Sequence, residues 1–262
     1  MRIRLLFFLS LLIINPFTAL VVHGQTQSYN QINNELDFNR DLSQHWALEF
    51  DAGQSWTTLP GHSNIFSSLA QLYGRAWVHY APDDKWKISF FYGYYFNKYD
   101  PAIDQRAAPE WRSAVQAIYY IERRRAIIST RFRIEDRHIY NADSVYEAVD
   151  RFRAQIKAVY PLNSQYIGWH TVYCIGSEEL MFKTSSKVSG SQFFDRNKFT
   201  AGFGYGVTKN MQIEITYCNE YIPRAISDNY NELQFNVVFN NVLPRLGKYL
   251  FGEKHPEGSS AD

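Results

Sequence analysis

The side chains able to do chemistry in this sequence are dispersed, and the familiar catalytic spacings are missing. His79 and His170 fall on the polar side of an every-second-residue alternation, and Ser and Asp are plentiful, so a hydrolytic triad can be assembled on paper. Neither a Gly-x-Ser-x-Gly elbow nor a His-Glu-x-x-His pair accompanies them. Histidines in such positions are expected to be hydrogen-bonded fillers. The two cysteines, Cys174 and Cys218, lack metal-ligand spacing. They are read as inward-facing free thiols with one strand between them, roughly 10 Å apart and beyond disulfide reach. Gly202, Gly204 and Gly206 alternate and read as room for bulky neighbours rather than a phosphate loop. No enzyme activity, metal or cofactor is expected.

Charge at alternate positions is the pattern that stands out. Glu110 and Arg112 are followed by the ladder Arg131-x-Arg133-x-Glu135-x-Arg137, and then by Glu147, Arg151, Arg153 and Lys157. Elsewhere only acids occupy the equivalent spacing: Glu35, Asp37, Glu49 and Asp51 early in the chain, Glu214, Glu220 and Glu232 late in it.

The elements that must carry these residues are strands. From 32 to 241 the dominant period is two, as in Trp86, Ile88, Phe90, Tyr92, Tyr94 and Phe96 alternating with Lys87, Ser89, Phe91, Gly93 and Tyr95. Candidate strands are 32–40, 46–56, 69–80, 86–96, 110–121, 125–137, 147–160, 166–178, 196–207, 211–221 and 231–240, each near the length of a tilted bilayer crossing. Tight turns at 41–44, 82–84, 162–165 and 208–210 alternate with longer segments at 57–68, 97–109, 138–146, 179–195 and 222–230. That alternation predicts an all-β, antiparallel up-and-down transmembrane β-barrel. Eleven candidates against the even number usual in bacteria leave an expectation of 10–12 strands. Trp46, Trp56, Tyr80, Trp86, Phe96, Trp111, Tyr160 and Tyr217 lie toward strand ends on the apolar face, where interface girdles belong.

The 262 residues carry 17% aromatics, 20% charged residues and a formal net charge of +1, which lacks the electrostatic footprint of a nucleic-acid binder. Arg2 and Arg4, an apolar run from Leu5 to Val22 and the small residue Gly24 read as a signal peptide over 1–24. Its removal takes two arginines and no acid, leaving a net charge of −1. The barrel is expected over 25–241 and an irregular C-terminal tail over 242–262.

Closing such a sheet puts Arg112, Arg131, Arg133, Arg137, Arg151, Arg153 and Lys157 on one lumen wall. Glu35, Asp37, Glu49, Asp51, Glu214, Glu220 and Glu232 fall on the other. Opposed charged walls around water make a porin-like passage for small polar solutes. The alternative is a structural or ligand-binding barrel with an ion-paired, closed interior. A lipid-modifying barrel enzyme is the third reading.

The Arg131 to Arg137 ladder, Arg151-Phe152-Arg153 leading to Tyr160-Pro161-Leu162, Gly202-x-Gly204-Tyr205 before Lys209-Asn210, and Glu214-x-x-Tyr217 resemble the outer-membrane barrel family catalogued as domain of unknown function 2490. The resemblance implies the outer membrane of a Gram-negative bacterium and brings no catalytic residues to carry over. Outer-membrane lipids, and the barrel assembly machinery during insertion, are the expected partners of a monomer. Barrel chains often end on an aromatic residue, whereas this one runs on beyond Asn241; Phe235, Val237 and Phe239 are left to act as an internal assembly signal.

Overall fold

A computed structural model describes residues 26–100, 103, 107–141 and 143–242. The expected signal peptide lies outside the described residues, as does the tail from 243 onward. Eleven strands form one closed barrel: β1 (Thr26–Asp41), β2 (Trp46–Thr57), β3 (Ser68–Tyr80), β4 (Trp86–Asn97), β5 (Ala108–Arg123), β6 (Ile127–Tyr140), β7 (Tyr146–Pro161), β8 (Val172–Lys183), β9 (Phe194–Thr208), β10 (Met211–Ile222) and β11 (Ser227–Asn240). Each strand pairs antiparallel with its sequence neighbour, and β1 closes on β11 in parallel.

That seam differs from the fully antiparallel barrel expected, for a topological reason. Each hairpin reverses the chain, so an odd number of strands leaves the first and last running the same way. The register is unbroken from Thr26↔Ser227 to Asn39↔Asn240. It juxtaposes like residues, and two of these pairs stack: Tyr29 on Tyr230 at 5.1 Å, and Phe38 on Phe239 at 5.0 Å. Beyond the seam, Asn241 donates its backbone N–H to the Asn39 carbonyl and its side-chain amide to Asp41.

One rim, here the turn rim, carries the connections 42–45, 81–85, 124–126, 162–171 and 209–210. The opposite loop rim carries 58–67, 98–107, 141–145, 184–193 and 223–226. The expected alternation of lengths holds for most connections, but 162–171 is long on the turn rim and 223–226 is short on the loop rim.

The alternation sorts the side chains as predicted. On β4, Phe90 is 48% exposed while the next residue, Phe91, is 1% exposed. The outer face exposes many large apolar side chains, among them Leu36, Phe132, Ile134, Val115 and Phe203. Aromatic pairs lie near both rims: Trp46 with Tyr80 and Trp86 with Tyr119 at the turn rim, Tyr94 with Trp111 and Tyr140 with Tyr146 at the loop rim.

Two residues expected on the inner face are elsewhere. His170 precedes β8 in a left-handed turn (φ 57°), is exposed, and bonds through Nδ1 to the Tyr205 hydroxyl at 2.7 Å. Cys174 shares the outward parity of its register partner Phe203, because the inward set of β8 is the odd-numbered one, with Tyr173, Ile175, Glu179 and Met181 buried. Cys218 is buried and inward as expected, and both thiols are free.

Candidate functional site

Every predicted lumen residue lies on the inner face, but the ions pair laterally along the wall and not between opposed walls. Glu110 accepts a bidentate pair from Arg137 (2.7 and 3.0 Å) and a further bond from Arg112 (2.7 Å). Glu135 is fully buried and takes Arg133 at 3.2 Å, Arg151 at 2.5 Å and Arg153 at 2.7 Å. Glu179 takes Arg153 at 2.7 Å and, across the intervening β7, Arg131 at 2.5 Å. Arg151 continues to Asp195 (3.8 Å), Asp195 to Arg196 (3.1 Å), Arg196 to Glu220 (2.9 Å), and Lys198 joins Glu220 (2.8 Å) to Glu232 (3.6 Å). Ion pairs therefore run along the inner wall from Glu135 on β6 to Glu232 on β11, and Glu110 with Arg112 and Arg137 forms a separate cluster beside them. Such bonds are the strong members of their class, and buried ions require them.

Across these two clusters eight cations (Arg112, Arg131, Arg133, Arg137, Arg151, Arg153, Arg196, Lys198) meet six carboxylates (Glu110, Glu135, Glu179, Asp195, Glu220, Glu232). The remaining early acids gather near the first two strands, where Arg75 pairs with Glu35 (2.6 Å) and Asp51 (2.8 Å) and His79 with Glu49 (3.2 Å). The expected basic and acidic walls therefore survive as an excess of cations in those clusters and an excess of acids beside β1 and β2, where Glu35, Asp37, Glu49 and Asp51 face Arg75 and His79. Lys157 lies on the inner face with no ion pair among the described residues, and Glu214 accepts from the Tyr173 hydroxyl at 2.9 Å. Glu147 accepts the backbone N–H of Lys187 at 2.8 Å.

An inner aromatic cluster completes the wall. Trp77, Phe91, Tyr95 and Ala114 are buried together with Tyr73 against them. Arginines lie over these rings: Arg112 at 3.8 Å from the Tyr95 centroid, Arg133 at 5.1 Å from Trp77, Arg75 at 5.0 Å from Tyr73. Each guanidinium thus lies over a ring face, a cation–π contact, while its N–H groups reach the carboxylates.

Small residues make the long reaches possible. Tyr73 on β3 donates to Glu35 on β1, its ring lying over Gly53 of β2. Tyr173 on β8 reaches Glu214 on β10 over Gly204 of β9. The expectation that Gly204 makes room for a bulky neighbour is met by Tyr173.

Sequence reasoning missed Arg75, Glu179, Asp195, Arg196 and Lys198, the partners that close the network. For Arg75, Arg196 and Lys198 the signal was available, since the same alternation applied to β3 and β9 points them inward. Glu179 was hidden because the expected strand stopped at 178 and this acid opened the polar segment 179–195, and Asp195 because it sits where the β8/β9 register shifts.

His79 bonds through Nδ1 to Ser89 Oγ at 2.8 Å and through Nε2 to Glu49 at 3.2 Å, the connectivity of a nucleophile, a base and an orienting acid. Ser89 is 2% exposed, and neither it nor His79 lines the lumen cavity. His79, Ser89 and Glu49 are thus hydrogen-bonded to one another within the wall.

The loop rim is covered from within. Ile103 of the β4–β5 loop is 1% exposed and packs with Ala108, Ile139, Val149 and, from the β8–β9 loop, Val188. Tyr29, Ile222 and Tyr230 form a second apolar group on the seam side. Between this layer and the arginine network is a cavity of about 300 Å³, with Arg75, Arg112, Arg137, Arg196, Lys198 and Glu220 in its walls.

The architecture is a closed, eleven-stranded β-barrel with an apolar exterior and an ion-paired interior. The chain belongs to the family described as Protein of unknown function (DUF2490), whose model matches residues 26–231. Among solved structures it is similar to one described as "Bacterial polysaccharide outer membrane secretin", with a TM-score of 0.50 and 11% identity over 76% of this chain and 66% of that one. It thus spans slightly less than two thirds of that protein's length, and at such identity the likeness shows the fold alone. No curated protein matches the sequence.

Proposed function

We propose that this protein is an outer-membrane β-barrel whose lumen is held closed by its ion pairs, a structural or small-ligand-binding barrel and not a free pore. The observation that carries this reading is the interior itself: charged side chains bind one another along the wall, and loop residues Ile103 and Val188 are buried in the loop rim. An open water-filled channel leaves its charges solvated, whereas here Glu110 and Glu135 are fully buried with arginine partners. The membrane assignment rests on the apolar outer face, the aromatic pairs near both rims and the outer-membrane description of the structural neighbour. The cavity of about 300 Å³ is at the small end of ligand pockets.

Passage of small polar solutes is the second reading, favoured by the charged lining of that cavity. It requires the apolar layer at the loop rim to move aside. Single-channel recording in planar bilayers separates the two readings.

A further inference from the structure

The cavity of about 300 Å³ beneath the loop rim has two unlike walls. Strands β5 to β9 bring six cations to its lining, Arg112, Arg137, Arg151, Arg153, Arg196 and Lys198, and no carboxylate among the described residues. The acids that hold most of these cations, Glu110, Glu135, Glu179 and Asp195, do not line the cavity and are at most 2% exposed. The arginines therefore stand in front of their own counter-ions, and this wall presents positive charge inward.

The parallel seam builds the opposite wall. Its register sets Gln31 beside Glu232, Asn33 beside Gln234 and Glu35 beside Asn236, and all six line the cavity together with Tyr230. Amides, carboxylates and a phenol are the donors and acceptors that bind hydroxyl groups. Each wall also holds a buried donor that has no acceptor. Glu110 engages Nε and Nη2 of Arg137, which is 3% exposed, and leaves Nη1, the corner turned away from Glu110, without a partner. Across the cavity the Tyr230 hydroxyl is equally unmet. Unmet buried donors are costly, and one on each wall calls for an acceptor between them.

We propose that this cavity binds a small hydroxylated oxyanion, a sugar acid or sugar phosphate no larger than a monosaccharide, with its carboxylate or phosphate on the β5–β9 arginines and its hydroxyls on the seam. The planar fork of arginine fits either oxyanion, and the small volume limits the ligand to a single sugar unit. The seam supplies the discrimination: an anion without hydroxyls uses one wall only, and a neutral sugar leaves the arginines without an anionic partner in the cavity. The site rests on the small-ligand reading given above and supplies its ligand class.

The test is calorimetric titration of the full chain, folded in a non-ionic detergent, with glucuronate, glucose-6-phosphate, glucose and inorganic phosphate. Saturable binding of glucuronate or glucose-6-phosphate is expected, and the tighter of the two identifies the oxyanion. Glucose and inorganic phosphate, each able to use one wall, are expected to bind more weakly by about tenfold or more. Arg137→Lys keeps a charge beside Glu110 but removes the planar fork, and Asn236→Leu removes an amide from the seam. Each variant, shown to be folded by heat-shifted gel mobility, is expected to weaken binding of the sugar anion by about tenfold. Glucose or inorganic phosphate binding as tightly as the sugar anions, or no saturable binding of either sugar anion to the folded wild type, would overturn the proposal. The wild-type titrations decide it even if a variant fails to fold. Conductance is read separately: a silent barrel that binds neither sugar anion keeps the closed lumen and loses this site, whereas a conducting one contradicts the closed lumen whatever it binds.

Discussion

Tyr73 hydrogen-bonds Glu35 across an entire intervening strand, its ring occupying the space that a side chain on Gly53 would need. Tyr173 makes the same kind of reach to Glu214 over Gly204. A barrel wall normally links nearest strands. Here glycines let side chains tie strands two apart, which stiffens the wall from inside.

Replacing those glycines breaks the device. Gly53→Val and Gly204→Val are each expected to cost about 1–3 kcal/mol through overpacking against the tyrosine ring. Gly176→Ala, where an added Cβ meets nothing within 4 Å, is expected to stay within about 0.5 kcal/mol of wild type. Urea midpoints followed by heat-shifted gel mobility make the comparison, and equal midpoints for all three variants would contradict it.

Glu135 is the hub with the most to lose. Glu135→Gln removes the fully buried carboxylate that Arg133, Arg151 and Arg153 share, leaving Arg133 without an anionic partner, and is expected to destabilise the barrel by about 3–5 kcal/mol. Glu122→Gln removes a 4.0 Å pair with Arg124, whose own side chain is 93% exposed, and is expected to change stability by less than about 1 kcal/mol. The two unfolding midpoints should therefore separate widely.

If the outer face meets lipid, a charge there is expensive. Phe132→Arg, on a side chain that is 62% exposed, is expected to cost about 2–4 kcal/mol when the barrel is folded into bilayers. A neutral effect would argue that this apolar face is covered by something other than lipid.

The parallel seam can be trapped covalently. Leu36 and Val237 are register partners on the outer face of β1 and β11. With Cys174 and Cys218 replaced by Ser, the pair Leu36→Cys and Val237→Cys is expected to form an intramolecular disulfide, because adjacent strands lie about 4.8 Å apart. A control pair, Leu36→Cys with Ala52→Cys, spans the β1/β2 register. If only the control cross-links, the barrel does not close through β1 and β11.

The wall was legible in the sequence because alternation is a local property. The β4 aromatic run and the arginine ladder of β6 set both the strand and its facing. Closure was not legible: alternation counted eleven strands but says nothing about which strand meets which, so the parallel β1/β11 seam had to come from the structure. The end of β8 was misplaced because Glu179 looks like a loop residue when strands are expected to be apolar or mixed. On the inner wall a carboxylate such as Glu179 is a strand residue, stabilised by Arg131 and Arg153. Trp77 and Phe91 were hidden for the opposite reason, since on strands aromatic on both faces the rings alone do not tell inside from outside.

Single-channel recording of the purified chain in planar bilayers is the most direct test of the closed lumen. The account predicts a quiet membrane for wild type, with conductance steps appearing when Glu135→Gln loosens the network or when Ile103→Gly and Val188→Gly thin the layer at the loop rim. Regular conductance steps from the wild-type barrel would contradict it and assign the charged cavity to solute passage.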